Sequence, residues 1–318
     1  MRVCLDGFDY ETARRLVFLG RVIPVMENLG VTFQYDTTNA DVILVCNKNI
    51  FKYRKSSLPK AIRPVHIHVI DKPSTIASNK NRVRMCRDCD LVIWQCNWLR
   101  KKYRVLMDYK AKREVVIHNA ASIATPEQPM KMDCKYNVIM LATWSVDGEP
   151  RPRKRLHEMV EVAWEYVHEQ GDVCFWIVGE NTGIKRQHDR IRALGKLSFA
   201  EVVPVLSACD AMLNLTWFDN CPNAVIEALA LGIPVVCNNE AGTVELVRQD
   251  AGIIVNIDNP VTSYQHGRAA PKFDKRPVMD ALIKVLSGWP EFERPDLRID
   301  YAAQKYKEAL EGLIHGTP

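Results

Sequence analysis

Short apolar runs alternate with amphipathic stretches along most of the 318-residue chain. Runs at 2–5, 31–35, 41–46, 65–70, 91–95 and 114–117 have the length of strands. Apolar positions spaced near 3.6 mark a helix over 12–29, and a basic helical stretch lies between the last two runs. Such alternation predicts parallel sheets covered by helices on both faces. The segment 119–137 breaks the pattern. It holds Pro126 and Pro129, lacks strong periodicity and reads as a linker. Beyond it the alternation restarts, with strands at 138–142, 173–178, 211–215 and 234–237 and helices at 154–168, 200–209 and 222–231. An amphipathic helix at 301–314 closes the chain. The expected architecture is therefore α/β, with two doubly wound, Rossmann-like domains over 1–131 and 132–297. The C-terminal helix, within 298–318, can pack back on the first of them.

Composition excludes disorder and a short disulfide scaffold, since 47% of residues are apolar and 25% charged. The net charge of +5 conceals a split. Residues 1–132 carry 23 basic and 12 acidic side chains, a net of +11, whereas 133–318 carry a net of −6. Halves so different suit different partners. An acidic residue within the first six positions leaves no signal-peptide pattern. The longest strongly apolar stretch, 224–237, spans 14 residues and contains Glu227, too short to cross a membrane. A cytoplasmic protein without a transmembrane segment is expected. In a reducing compartment Cys4, Cys46, Cys174 and Cys237, all inside apolar runs, read as small buried hydrophobes. Cys86 and Cys89 lack a second pair or suitably spaced histidines, so no metal is expected.

The segment richest in chemistry is Asp219-Asn-Cys-Pro-Asn-Ala-Val-Ile-Glu227. A strand ending near Leu215 delivers a polar loop, and Pro222 suits a first helical turn, with Asn220 or Cys221 near the cap. The amides of Asn223 and Ala224 would then point from the carboxyl edge of the sheet into the crevice, where phosphate binds well. The Glu227 carboxylate, about a turn into the helix, can accept hydrogen bonds from the paired hydroxyls of a ribose. Asp219 can contact hydroxyls of a second moiety.

These residues resemble the E-x7-E pattern of the retaining glycosyltransferase family 4, of GT-B fold, with Asp219 in place of the first acid. The resemblance continues through Glu-Ala-Leu-Ala-Leu-Gly232-Ile-Pro234-Val-Val and Glu240-Ala-Gly242-Thr-Val-Glu245. Trp176-Ile-Val-Gly179-Glu and Leu194-Gly-Lys-Leu197 are similar to the family's preceding runs, in the same order. It is strong over about 135–257 and weak before that. The resemblance implies two Rossmann-like domains facing across a cleft, and transfer of a sugar from a nucleotide-diphosphate sugar with retention of configuration. The sugar nucleotide is then a co-substrate and no cofactor or metal is required. Glu227 would hold the ribose, Asp219 the transferred sugar and the amides of Asn223 and Ala224 the diphosphate, with Gly179 and Leu197 also on the donor side. The family places a basic pair, Gly-Arg then Lys-Gly, after the first strand of this domain. Here that arginine is missing, and Arg153 and Lys154, within Arg151-Pro-Arg153-Lys154-Arg155, are the candidates for the diphosphate. Fixed cations there would stabilise the charge that develops on the leaving group.

In the first half, Asp71, His66 and His68 sit at the end of the expected strand 65–70, where such sheets place function. Asp71 is the preferred catalytic candidate. Gly7, in the loop after the first strand, allows close approach of an acceptor to the backbone. The acceptor is expected to be a saccharide or lipid-linked glycan. The basic residues also suit an anionic or membrane-associated acceptor, with Trp98 and Leu99 beside 100–104 forming an interfacial helix at a membrane surface. Two alternatives stand beside this reading. One is transfer to a nucleic acid, as in viral enzymes that glycosylate hydroxymethylated DNA, and the other is a non-catalytic nucleotide- or polyanion-binding module.

Overall fold

The computed structural model describes residues 1–6, 19–46, 56–63, 83–107, 110–123, 126, 129–146, 148–180, 184, 188–217, 219–248, 250–257 and 270–316. Gly7, His66, His68 and Asp71, and the expected strand 65–70, lie outside these residues. So does the first part of the expected helix 12–29. The described residues fall into two units, one formed by 1–122 with 295–316 and the other by the residues between 123 and 294.

The first unit holds a six-stranded parallel sheet. Its strands are β1 (Arg2–Asp6), β2 (Thr32–Gln34), β3 (Val42–Cys46), β4 (Lys60–Arg63), β5 (Leu91–Trp94) and β6 (Glu114–Val116). They lie in the order β2-β1-β3-β4-β5-β6. Helices α1 (Leu19–Asn28) and α2 (Asn97–Met107) belong to the same unit. The middle strands are apolar because both faces are covered; all four residues of β5 are buried.

The second unit carries a second six-stranded parallel sheet. Its strands are β7 (Tyr136–Leu141), β10 (Val173–Val178), β11 (Ile191–Gly195), β12 (Ala211–Asn214), β13 (Val235–Asn238) and β14 (Gly252–Val255). Between β7 and β10 lie a small antiparallel hairpin, β8 (Ser145–Val146) with β9 (Glu149–Pro150), a 3-10 turn at Pro152–Lys154 and helix α3 (Leu156–Glu169). Helices α4 (Phe199–Ser207), α5 (Asn223–Ala230), α6 (Thr243–Val247) and α7 (Arg276–Leu286) belong to the same unit. The strand order is β11-β10-β7-β12-β13-β14. Counted within the unit this is 3-2-1-4-5-6, so the direction of winding reverses between β7 and β12. Every residue of β10 is buried, and α4 starts on a reciprocal capping box of Ser198 and Glu201.

Helix α8 (Ile299–Ile314) returns to the first unit. The chain is hooked there by backbone bonds from the Ala121 N–H to the Leu297 carbonyl (2.8 Å) and from the Ile299 N–H to the Ala121 carbonyl (3.0 Å). Ala302, Ala303, Tyr306, Leu310 and Leu313 of α8 are buried in the same core as Val22, Ile23 and Met26 of α1. Burying Leu310 and Leu313 contributes about 1.5–3 kcal/mol each.

Several sequence expectations need correction. The sequence pattern does not predict strands β4, β8, β9, β11 and β14 or helices α6 and α7. The expected helix 154–168 begins later, at Leu156, because Lys154 belongs to the 3-10 turn and Arg155 breaks the helical path at φ 56°, ψ 37°. Cys174 is not a free thiol, since it is joined to Cys134 in a disulfide with Cα atoms 5.8 Å apart. Cys4, Cys86, Cys89 and Cys237 are buried, while the Cys46 side chain falls outside the described set. Leu99 faces the core with Tyr103, whose ring lies 4.8 Å from that of Trp94. The surface of α2 is formed instead by Lys101, Arg104 and Val105, the last 80% exposed.

Candidate active site

The crevice at the carboxyl ends of β7 and β12 is where a sheet of this order binds ligands. Two loops meet there. After β7 the chain runs through the hairpin into the cationic turn, held by the Arg151 N–H on the Trp144 carbonyl (2.8 Å) and the Lys154 N–H on the Arg151 carbonyl (2.9 Å). After β12 it runs through Leu215, Thr216 and Trp217 to Asp219. The Trp217 N–H donates to the Arg153 carbonyl (2.8 Å), and the Trp217 carbonyl accepts from Asn238 Nδ2 (3.1 Å) at the end of β13. The Gly242 N–H, just before α6, donates to the Asp219 carbonyl (2.9 Å). Four segments are thus joined, three by backbone bonds and the end of β13 by the Asn238 side chain.

The central contact is an ion pair. Lys154 Nζ lies 2.8 Å from Asp219 Oδ2, with the lysine side chain 9% exposed and the aspartate 25%. Burial is the largest influence on Asp219 and raises it. The Lys154 ammonium, the Arg153 guanidinium and the Cys221 N–H together outweigh burial and hold its carboxyl below the usual range. Arg153 feels the same neighbourhood: burial lowers it, Asp219 raises it and Arg151 lowers it again. Two cations, Lys154 and Arg153, therefore act on one carboxylate, with Arg151 close to the second of them, an electropositive setting suited to an anion.

Helix α5 opens on the same edge. Pro222 is its cap residue (φ −68°, ψ 118°) and Asn223 its first helical residue, one step later than the sequence predicts. No side chain caps this end, and Asn223 and Ala224 are half-buried. Their N–H groups are among those a helix leaves without an intrahelical acceptor. Glu227 is 6% exposed, a turn further into α5, and Glu240 beyond β13 is 7% exposed. Gly179 closes β10 at φ 125°, where a side chain would put its Cβ 2.0 Å from the Ala142 carbonyl oxygen and 2.8 Å from the Trp144 ring. The Trp144 indole N–H donates to the Val178 carbonyl (2.9 Å), so this glycine is needed for the approach of the hairpin to β10. Leu197 lies half-buried just before the Ser198 cap of α4.

The structure brings Lys154 and Asp219 into contact, with Arg153 beside them and Asn223 opening the adjacent helix. Sequence reasoning missed the bracing by Trp217 and Asn238 and the distinct place of Arg155, which looked like part of a charge run. Polar Asn238 ending the otherwise apolar run of β13 was the available signal.

Comparison with known proteins bears on this span. Residues 145–266 match the family model of the group 1 glycosyl transferases. The span takes in the cationic turn, the Asp219 loop and α5. No curated protein matches the sequence. Among solved structures, the GtfA/B complex is similar at TM-score 0.62 and 12% identity over 93% of this chain and 60% of that one. Anabaena HepE in complex with UDP-glucose is similar at TM-score 0.57 and 13% identity, covering 98% of this chain and 99% of that one. A UDP-forming trehalose-phosphate synthase from Burkholderia xenovorans follows at TM-score 0.58 and 11% identity, over 96% and 80%. The chain thus spans about three fifths of the GtfA/B chain it resembles. These neighbours establish a GT-B fold of two parallel-sheet α/β domains. The glycosyltransferase likeness in sequence is that of residues 145–266.

Proposed function

We propose that the protein is a glycosyltransferase that moves a sugar from a nucleoside-diphosphate sugar to an acceptor hydroxyl, with retention of anomeric configuration and without a metal. The observation that carries the reading is the Lys154–Asp219 ion pair at the winding reversal of the second sheet, beside the uncapped start of α5 and inside the matched span. In this reading Arg153, Lys154 and the α5 amides bind the diphosphate, Glu227 the ribose and Asp219 the transferred sugar, with Gly179 and Leu197 lining the donor side. Asp71, His66, His68 and Gly7 serve the acceptor side. Leaving-group departure is helped by fixed cations, and the departing phosphate can accept the acceptor's proton.

The acceptor is proposed to be a saccharide or a lipid-linked glycan. Contact with an anionic membrane surface belongs to the same reading, supported by Lys101, Arg104 and Val105 exposed on α2. Co-sedimentation with anionic but not neutral vesicles checks that part, and equal pelleting with both would count against it. Among the described residues no helix is long and apolar enough to cross a membrane.

A panel of sugar nucleotides, UDP-glucose among them, tests the reading through thermal stabilisation and slow hydrolysis without acceptor. Glu227→Ala is expected to lower donor affinity about tenfold, the loss of a charge-assisted hydrogen bond, in a protein that still unfolds cooperatively. Unchanged donor kinetics in that variant would remove Glu227 from the site.

A further inference from the structure

Arg155 is 0% exposed and is one of the non-glycine residues with positive φ. Glycine would take that conformation without steric cost, so an arginine there is held by what its side chain does. Nη1 donates to the Leu215 carbonyl at 3.3 Å and Nη2 to the Pro271 carbonyl at 3.0 Å, while Cζ sits 5.0 Å from the Phe273 ring centre. Its backbone serves two elements at once. The N–H donates to the Pro152 carbonyl (3.0 Å), closing the 3-10 turn, and the carbonyl accepts from the Met159 N–H (2.9 Å), starting α3. Leu215 begins the loop that carries Asp219, and the residue before Arg155 is Lys154. One guanidinium therefore ties the root of the Asp219 loop, the 271–273 segment and the turn that presents Lys154.

We infer that Arg155 is a positioning residue of the sugar-nucleotide site, fixing the cationic turn against the Asp219 loop so that Lys154 and Arg153 meet a diphosphate in register. The inference rests on the assignment of Lys154 to the diphosphate. Lysine has no planar fork and cannot hold two carbonyls in this geometry, so charge alone does not replace it.

The test compares UDP, which carries the diphosphate, with uridine, which does not, by titration calorimetry and ligand-observed NMR. Arg155→Gly keeps the backbone conformation accessible and removes the clamp. UDP affinity should fall about tenfold to a hundredfold, with uridine binding unchanged, because misplacement of the turn affects the phosphates alone. Arg155→Lys should recover little of the loss. Lys154→Ala should weaken UDP comparably, and the double variant should lose no more than the worse single one, since Arg155 acts through the turn. If Lys154→Ala weakens UDP while folded Arg155→Gly does not, the positioning role is wrong and the site assignment stands. If Lys154→Ala leaves UDP binding untouched, the site assignment itself fails. Should Arg155→Gly not fold, Arg155→Lys decides: selective loss of UDP affinity supports the clamp, and affinity equal to the parent's overturns it.

Discussion

Replacing Asp219 with Asn should destabilise the second unit more than replacing Lys154 with Met. The asymmetry follows from exposure. Lys154 keeps 9% of its side chain in water and Asp219 25%, at a separation of 2.8 Å. Removing one partner of a fully buried pair costs about 3–5 kcal/mol, whereas an exposed pair is worth about 0–1 kcal/mol. Asp219→Asn strands the more buried charge, so a cost of about 2–4 kcal/mol is expected. Lys154→Met keeps most of the apolar stem and leaves a carboxylate that still has Arg153 and the Cys221 N–H nearby. Its cost should be about 1–2 kcal/mol. The double variant removes both charges, and its cost should fall short of the sum by about 1–3 kcal/mol. Urea unfolding of the four proteins, with slopes compared to confirm a common transition, measures the cycle. Additivity within about 0.5 kcal/mol, or a larger loss in Lys154→Met, would refute the reasoning. A pH series adds a sign check. The folded pKa of Asp219 is lowered, so its contribution is present above its unfolded pKa and is lost as pH falls through the folded one. The parent should lose this stability on acidification, and Asp219→Asn should have a flatter acid limb.

Two further outcomes follow from the second unit. Gly179→Ala meets both a disfavoured φ of 125° and a backbone oxygen 2.0 Å from the new Cβ, so a loss of about 3–5 kcal/mol is expected. A melting temperature within a degree of the parent's would show that the 142–144 segment yields freely. The Cys134–Cys174 bond closes a loop with a sequence separation of 40, and the chain-entropy relation gives about 4 kcal/mol as its ceiling. Dithiothreitol should lower the parent's melting temperature and leave Cys134→Ser unmoved; equal responses would place the disulfide outside the stability of the unit.

The parts of the fold legible in the sequence were those with both faces covered. β5 and β10 read as unbroken apolar runs because all their residues are buried, and β13 does so up to its last residue, Asn238. β11 and β4 did not, since β11 lies at a sheet edge with half-exposed and exposed residues, and β4 begins and ends on charged side chains. Asp219 and Glu227 were visible because a loop, a proline and an acid follow an apolar strand in close order. The meeting of Lys154 with Asp219 spans 65 residues and had no local signal. Nor did the disulfide, because spacing does not determine which cysteines pair. Arg155 illustrates the limit most clearly. Its left-handed backbone depends on carbonyls at Leu215 and Pro271, 60 and 116 positions away.

The hook at Ala121 and the burial of α8 against α1 also set an order of events during synthesis. The described strands and helices of the second unit have all emerged by residue 294, whereas the core of the first includes side chains as late as Leu313. Residues 123–294 can therefore fold while the core of the first unit still lacks α8. Residues 1–122, made ahead of α8, keep apolar surface uncovered until it has emerged.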